Sequence, residues 1–119
     1  MTVLVFEATH GAEDPERANL PFIRGTVAAA SGQDVVVYLS ATAVWLVTSD
    51  GGRDVRYGGH PAVSEMAAAL VAAGGRVWVA EASAASRSLT AADFIEGAEI
   101  VPVGRFAELL AAGSTTFRG

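Results

Sequence analysis

Residues Gly75–Pro102 read GRVWVAEASAASRSLTAADFIEGAEIVP. The run Arg76-Val77-Trp78-Val79-Ala80 is apolar on successive rather than alternate positions, which predicts a strand covered on both faces, as in a parallel sheet. A turn of small residues follows, then Arg87, then a short helix whose start is signalled by Thr90 and Asp93 in a capping-box arrangement, then a further strand around Glu99-Ile100-Val101. One strand, a tight crossover and a second strand within so few residues define a βα unit.

The rest of the chain repeats that pattern. Val3 to Phe6 and Val35 to Leu39 are further continuous apolar runs, and between them lie Ala- and Leu-rich segments with helical spacing. Asp14 is placed to cap the first helix and Pro15 suits its first position, with Leu20, Ile23, Val27 and Ala30 as a stripe ending at Ser31-Gly32. Pro21 lacks an N–H and crowds the preceding turn, which predicts a kink there or a helix restarting at Asn19. Pro61 opens another helix with Val63, Met66, Leu70 and Ala73 on its buried side, and Gly74-Gly75 supplies a left-handed stop. Phe106, Leu109 and Leu110 mark a last helix before Gly113 and a closing strand near Ser114–Phe117, which makes five strands and five helices in all. The segment SDGGRDVRYGGH, between Thr48 and His60, carries four glycines and no apolar run, and predicts a mobile surface loop in which Tyr57 is free to close over a pocket.

At 119 residues the chain fits one domain over 1–119, and its 51% hydrophobic content supplies a sizeable core. Charged residues make up only 18%, so part of the exterior is expected to be apolar and to join other copies of the chain. The net charge of −5 and the absence of any Lys/Arg cluster exclude nucleic acid as a partner. No segment offers a charged leader or roughly 18 consecutive apolar residues, so no membrane is expected and a cytoplasmic location follows. There is no cysteine, hence no disulfide, no thiolate nucleophile and no persulfide carrier.

Several pieces together carry a family resemblance: the run Asp14-Pro15-Glu16-Arg17-Ala18-Asn19-Leu20 at the start of the first helix, Asp34–Leu39 followed by Ala43-Val44-Trp45-Leu46, and the IEGAEIVP stretch ending at Pro102. In order and spacing the chain resembles the DsrE/DsrF-like family, which includes the TusD-type sulfur-relay subunits. The resemblance implies a three-layer α/β/α fold with a five-stranded, mainly parallel sheet, and a homotrimer or a hexamer built of trimers. It also implies a reactive cysteine closing the third strand and an arginine several residues later. Here the cysteine position carries Ala80, Ser83 stands where some relatives have a second cysteine, and Arg87 matches the arginine.

Parallel sheets gather functional groups where strand carboxyl ends meet helix N-termini. His10 and Glu13 follow the first strand, Ser40-Ala41-Thr42 the second, and Glu81, Ser83 and Arg87 the third, so His10, Glu13, Glu81, Ser83 and Arg87 form a candidate ligand-binding mouth if the first and third strands lie close. Arg87 either holds an anionic or sulfur-bearing group or ties down its own turn through carbonyls or Glu81. Ser83 lies in no G-x-S-x-G elbow and reads as a small turn residue unless a base such as His10 reaches it. His10 and His60 show no metal-ligand spacing, and the pairs Gly51-Gly52 and Gly58-Gly59 make neither a P-loop nor a dinucleotide fingerprint, so no metal and no cofactor are expected. Trp45 and Trp78 read as core or subunit-interface residues.

Two functions of different class remain. One is a cysteine-less subunit that binds a small anionic ligand or a related sulfur-relay protein. The other is an enzyme using His10, Glu81 and Arg87 for acid–base chemistry on a small anionic substrate.

Overall fold

A computed structural model describes residues 2–118. Five strands, β1 (Val3–Ala8), β2 (Asp34–Leu39), β3 (Arg76–Ala80), β4 (Ala98–Val101) and β5 (Ser114–Arg118), form one sheet in the order β4-β3-β2-β1-β5, with every pairing parallel. Among the described residues there are four α-helices, α1 (Pro15–Ala30), α2 (Val63–Ala72), α3 (Glu81–Ala85) and α4 (Val103–Ala111), and two 3-10 helices at Ala41–Val47 and Ala91–Asp93.

Continuous apolar strands require cover on both faces, and the helices supply it in a three-layer α/β/α arrangement. Phe6, Ala8, Val35, Val37, Leu39, Val77 and Val79 point to one side, where they pack with Ala18, Phe22 and Ala29 of α1 and Val63, Met66 and Leu70 of α2. Val5, Val36, Tyr38, Trp78, Ala80 and Val101 point to the other, where Phe106 and Leu109 of α4 lie on them. Tyr38 stacks on Phe106 at 4.0 Å, and the guanidinium groups of Arg76 and Arg105 lie over the Trp78 ring, 5.5 and 4.9 Å from its centroid.

Helix ends follow local chemistry. The Asp14 side chain accepts from the Arg17 N–H at 3.1 Å with Pro15 just inside the helix, and Gly74, at φ +91°, ends the turn after α2 so that β3 starts two residues later.

Pro21 does not break α1, which runs unbroken from Pro15 to Ala30. The ring and its neighbour Phe22 are both buried, and this apolar burial offsets the roughly 3 kcal/mol that an interior proline costs. Asn19 is drawn inward too, its Nδ2 donating to the Pro15 carbonyl at 2.7 Å.

The small-residue stretch after β3 also differs from the expected turn, since Glu81–Ala85 closes a short helix directly on the strand end. In the glycine-rich stretch, Gly52 and Val55 are buried and held by Ser64 N–H to Gly52 O (3.1 Å) and Val63 N–H to Val55 O (3.0 Å). Only 56–61 is exposed throughout, and within it the Tyr57 hydroxyl donates to the Glu16 carboxylate, which pushes the phenol pKa up.

Candidate functional site

In the sheet order β2 lies between β1 and β3, so the segment after β2 becomes the bridge of the mouth. Two consecutive residues make that bridge. Thr42 donates from Oγ1 to the Glu13 carboxylate at 2.7 Å, on the β1 side. Ala41 donates its N–H to Ser83 Oγ at 3.0 Å, on the β3 side.

On the β1 side Glu13 is a hub. Both its oxygens lie 3.0 Å from the Gly11 N–H, which is itself 3.1 Å from Thr42 Oγ1. The Thr42 hydroxyl holds the Glu13 pKa below its ordinary value of 4.5; burial opposes this, and the Gly11 N–H and the nearby His10 add smaller contributions in the same direction as Thr42. His10 Nδ1 is 3.0 Å from Thr9 Oγ1. A carboxylate whose folded pKa is depressed stabilises the fold above its unfolded pKa and loses that contribution as pH falls through the folded value. The Gly11 amide proton is therefore expected to shift and to lose exchange protection below about pH 4.5. Glu13→Gln should remove that titration, as read by NMR. A Gly11 resonance that moves identically in both proteins would exclude Glu13 as its source.

On the β3 side the backbone is unusual. Ala41 has φ +53°, in the left-handed region that non-glycine residues seldom occupy, and its N–H is the one Ser83 accepts. Arg87 donates from Nη1 to the Ser83 carbonyl at 3.0 Å and to Ser86 Oγ at 3.1 Å. It is half-buried and forms no ion pair among the described residues, unlike Arg17, Arg53, Arg56, Arg76, Arg105 and Arg118.

Glu81 is exposed and bonds to none of these side chains. No hydrogen bond or ion pair joins any two of His10, Glu81 and Arg87 among the described residues. Thr42 is the site residue that sequence reasoning did not single out: its segment was legible as a strand end, but its bond to Glu13 spans 29 positions of chain.

Ala80, at the position where the resemblance places a cysteine, ends β3 opposite Val101 of β4 and is 8% exposed among the residues facing α4. His60 lies away from the strand ends, on a largely apolar groove of about 270 Å³ between α1 and α2 whose floor includes Ile23, Val27, Met66 and Ala69. Among the described residues no group of three His, Asp or Glu side chains is placed to hold a metal ion, and no helix is long and apolar enough to cross a membrane.

A parallel α/β/α sheet whose polar groups collect at the strand carboxyl ends defines the class. The chain belongs to the DsrE/DsrF-like family, which it matches over residues 2–117. The ychN protein of E. coli has the same fold, with a TM-score of 0.78 at 20% identity over 98% of this chain and 100% of that one. MTH1491 of Methanobacterium thermoautotrophicum, a protein of unknown function, superposes with a TM-score of 0.75 at 20% identity over the whole of both chains. No curated protein matches the chain.

Proposed function

We propose that this protein is a non-catalytic member of its sulfur-relay-related family, cytoplasmic and assembled from several copies. In this reading it holds a small anionic ligand, free or carried by a related sulfur-relay protein, at the mouth formed by His10, Glu13, Ser83 and Arg87. The observation that carries the reading is Arg87: a half-buried guanidinium with no carboxylate partner keeps its charge available at a strand end. Beside it Ser83 Oγ accepts from the Ala41 N–H, and among the described residues no base is hydrogen-bonded to that hydroxyl. The acid–base alternative has less support, since among the described residues no hydrogen bond or ion pair joins Glu81 to His10 or Arg87.

Melting curves with and without sulfate or phosphate test the proposal. Anion should raise the melting temperature of the parent and leave Arg87→Ala unresponsive, while Arg24→Ala, at an exposed arginine of α1 outside the mouth, responds like the parent. Losing the two hydrogen bonds to Ser83 and Ser86 should itself lower the melting temperature of Arg87→Ala by a few degrees, for about 1 kcal/mol. Equal anion responses in the parent and Arg87→Ala would remove Arg87 from the site and end this reading.

A further inference from the structure

The groove of about 270 Å³ between α1 and α2 is walled by Ile23, Thr26 and Val27 on one side and by Met66 and Ala69 on the other. Both helices lead from one strand of a parallel sheet into the next, so they run side by side in the same direction. Thr26 Oγ1 donates to the Met66 carbonyl at 3.4 Å and bridges them. A helix face turned to water ordinarily carries charge, yet Val27 stands 64% exposed along this groove and Ala69 is exposed opposite it. Polar groups gather at one end, where His60 and Pro61 close the groove and Glu65 lines it one turn before Ala69. That end is fixed in place: the His60 N–H donates to the Tyr57 carbonyl at 3.2 Å in a turn with Gly58 at φ +59°, and the Tyr57 hydroxyl donates to Glu16 in the first turn of α1. The His60 imidazole itself makes no hydrogen bond among the described residues. Glu65 lies 3.6 Å from Arg56 in a pair whose side chains are both more than half exposed, an arrangement that holds weakly.

We propose that this groove binds a small hydrophobic amine, a ring system carrying an ammonium group. Size sets the body: an apolar cavity of about 150 Å³ admits benzene, so the groove has room for about two fused rings. Charge sets the head. Among the described residues Glu65 is the one charged side chain that lines the groove, Glu16 lies at the same end, and the whole chain carries a net charge of −5. A cationic head is drawn to that end and an anionic one is repelled. The ammonium group donates to the Glu65 carboxylate in place of Arg56, and a His60 ring nitrogen is placed to accept a second bond. The rings displace water from Ile23, Val27 and Met66, which supplies the apolar part of the affinity. The groove is separate from the mouth at Arg87, and neither site depends on the other.

Tryptamine is the probe, with indole-3-acetate as the same rings under an anionic head and indole as the rings alone. The methyl NMR signals of Ile23, Val27 and Met66 should shift saturably with tryptamine, with a dissociation constant of about 1 mM or below, and indole-3-acetate should bind roughly tenfold more weakly. Glu65→Gln should weaken tryptamine roughly fivefold and leave indole unchanged. Ala69→Trp fills the groove and should abolish binding, whereas Ala68→Trp, exposed on α2 outside the groove, and Arg87→Ala should both bind like the parent. No saturable shift, indole-3-acetate as tight as tryptamine, or an undiminished affinity in Ala69→Trp or Glu65→Gln overturns the proposal. Should Ala69→Trp fail to fold, Glu65→Gln decides alone. Shifts of the same methyls on raising the protein concentration without ligand would put a second copy in the groove and overturn it too.

Discussion

Gly51→Ala is expected to be the most destabilising single-methyl addition in this chain. A Cβ at Gly51 would stand 1.7 Å from the Trp45 carbonyl oxygen and 2.4 Å from Thr48 Oγ1, and the nearer atom is backbone that cannot swing aside. The Trp45 carbonyl is already engaged at the end of the 3-10 helix, accepting from the Thr48 hydroxyl at 2.7 Å and the Thr48 N–H at 3.3 Å. That helix contributes Ala43, Val44, Leu46 and Val47 to the core, so displacing its last turn disturbs packing as well as the turn itself. Overpacking of this kind costs roughly 1–3 kcal/mol, with the rigid backbone contact placing it at the upper end. The expected fall in melting temperature is on the order of 10 °C for a chain of this size. Gly59→Ala, in the same segment but with nothing within 4 Å of its Cβ, is the control and should melt close to the parent. Parallel melting of Gly51→Ala and the parent would mean that the 48–55 segment rearranges without loss of core contacts.

Ala80→Cys is expected to change the chemistry from none to detectable. The parent has no thiolate, so it should take up no covalently held sulfur from a persulfide donor. In the variant the introduced thiolate attacks the donor's outer sulfur. A new S–S bond forms on the protein, the donor's S–S bond breaks, and the donor leaves as a thiolate. Ala80 is 8% exposed at the end of β3, enough to locate the new sulfur at the strand mouth but close to Trp78 and Val101. The substitution adds one sulfur atom and should leave the stability within about 1 kcal/mol of the parent, a change of no more than a few degrees in melting temperature. Radiolabelled sulfur retained through gel filtration and released by reductant is the expected result. A folded variant with a titratable thiol that retains no label would count against Ala80 as the counterpart of the cysteine that the resemblance implies.

Most of the local architecture was legible because it depends on neighbours in sequence. Apolar residues on consecutive positions of Val3–Phe6, Val35–Leu39 and Val77–Ala80 admit only a strand covered twice, and a strand covered twice belongs to a parallel sheet. Asp14, Pro15, Thr90, Asp93 and Gly74 mark ends of elements through bonds or dihedrals within three residues of themselves. The missing thiol needed no structure at all.

What the tertiary structure decided is how distant segments meet. Sequence offered the ends of β1 and β3 as one mouth only on the condition that those strands lie close. Sheet order puts β2 between them, so that Ala41 reaches Ser83 across 42 positions and Thr42 reaches Glu13 across 29. Pro21 continues its helix because the fold buries it, a return that no local rule counts, and the Gly52–Val55 stretch is held by α2 rather than by its own residues. Residue type and spacing carry the short-range energies of caps, turns and alternation. Left-handed Ala41, the unpaired charge of Arg87 and the groove between α1 and α2 arise from long-range packing, where only the assembled sheet determines which groups are already satisfied and which remain free to bind.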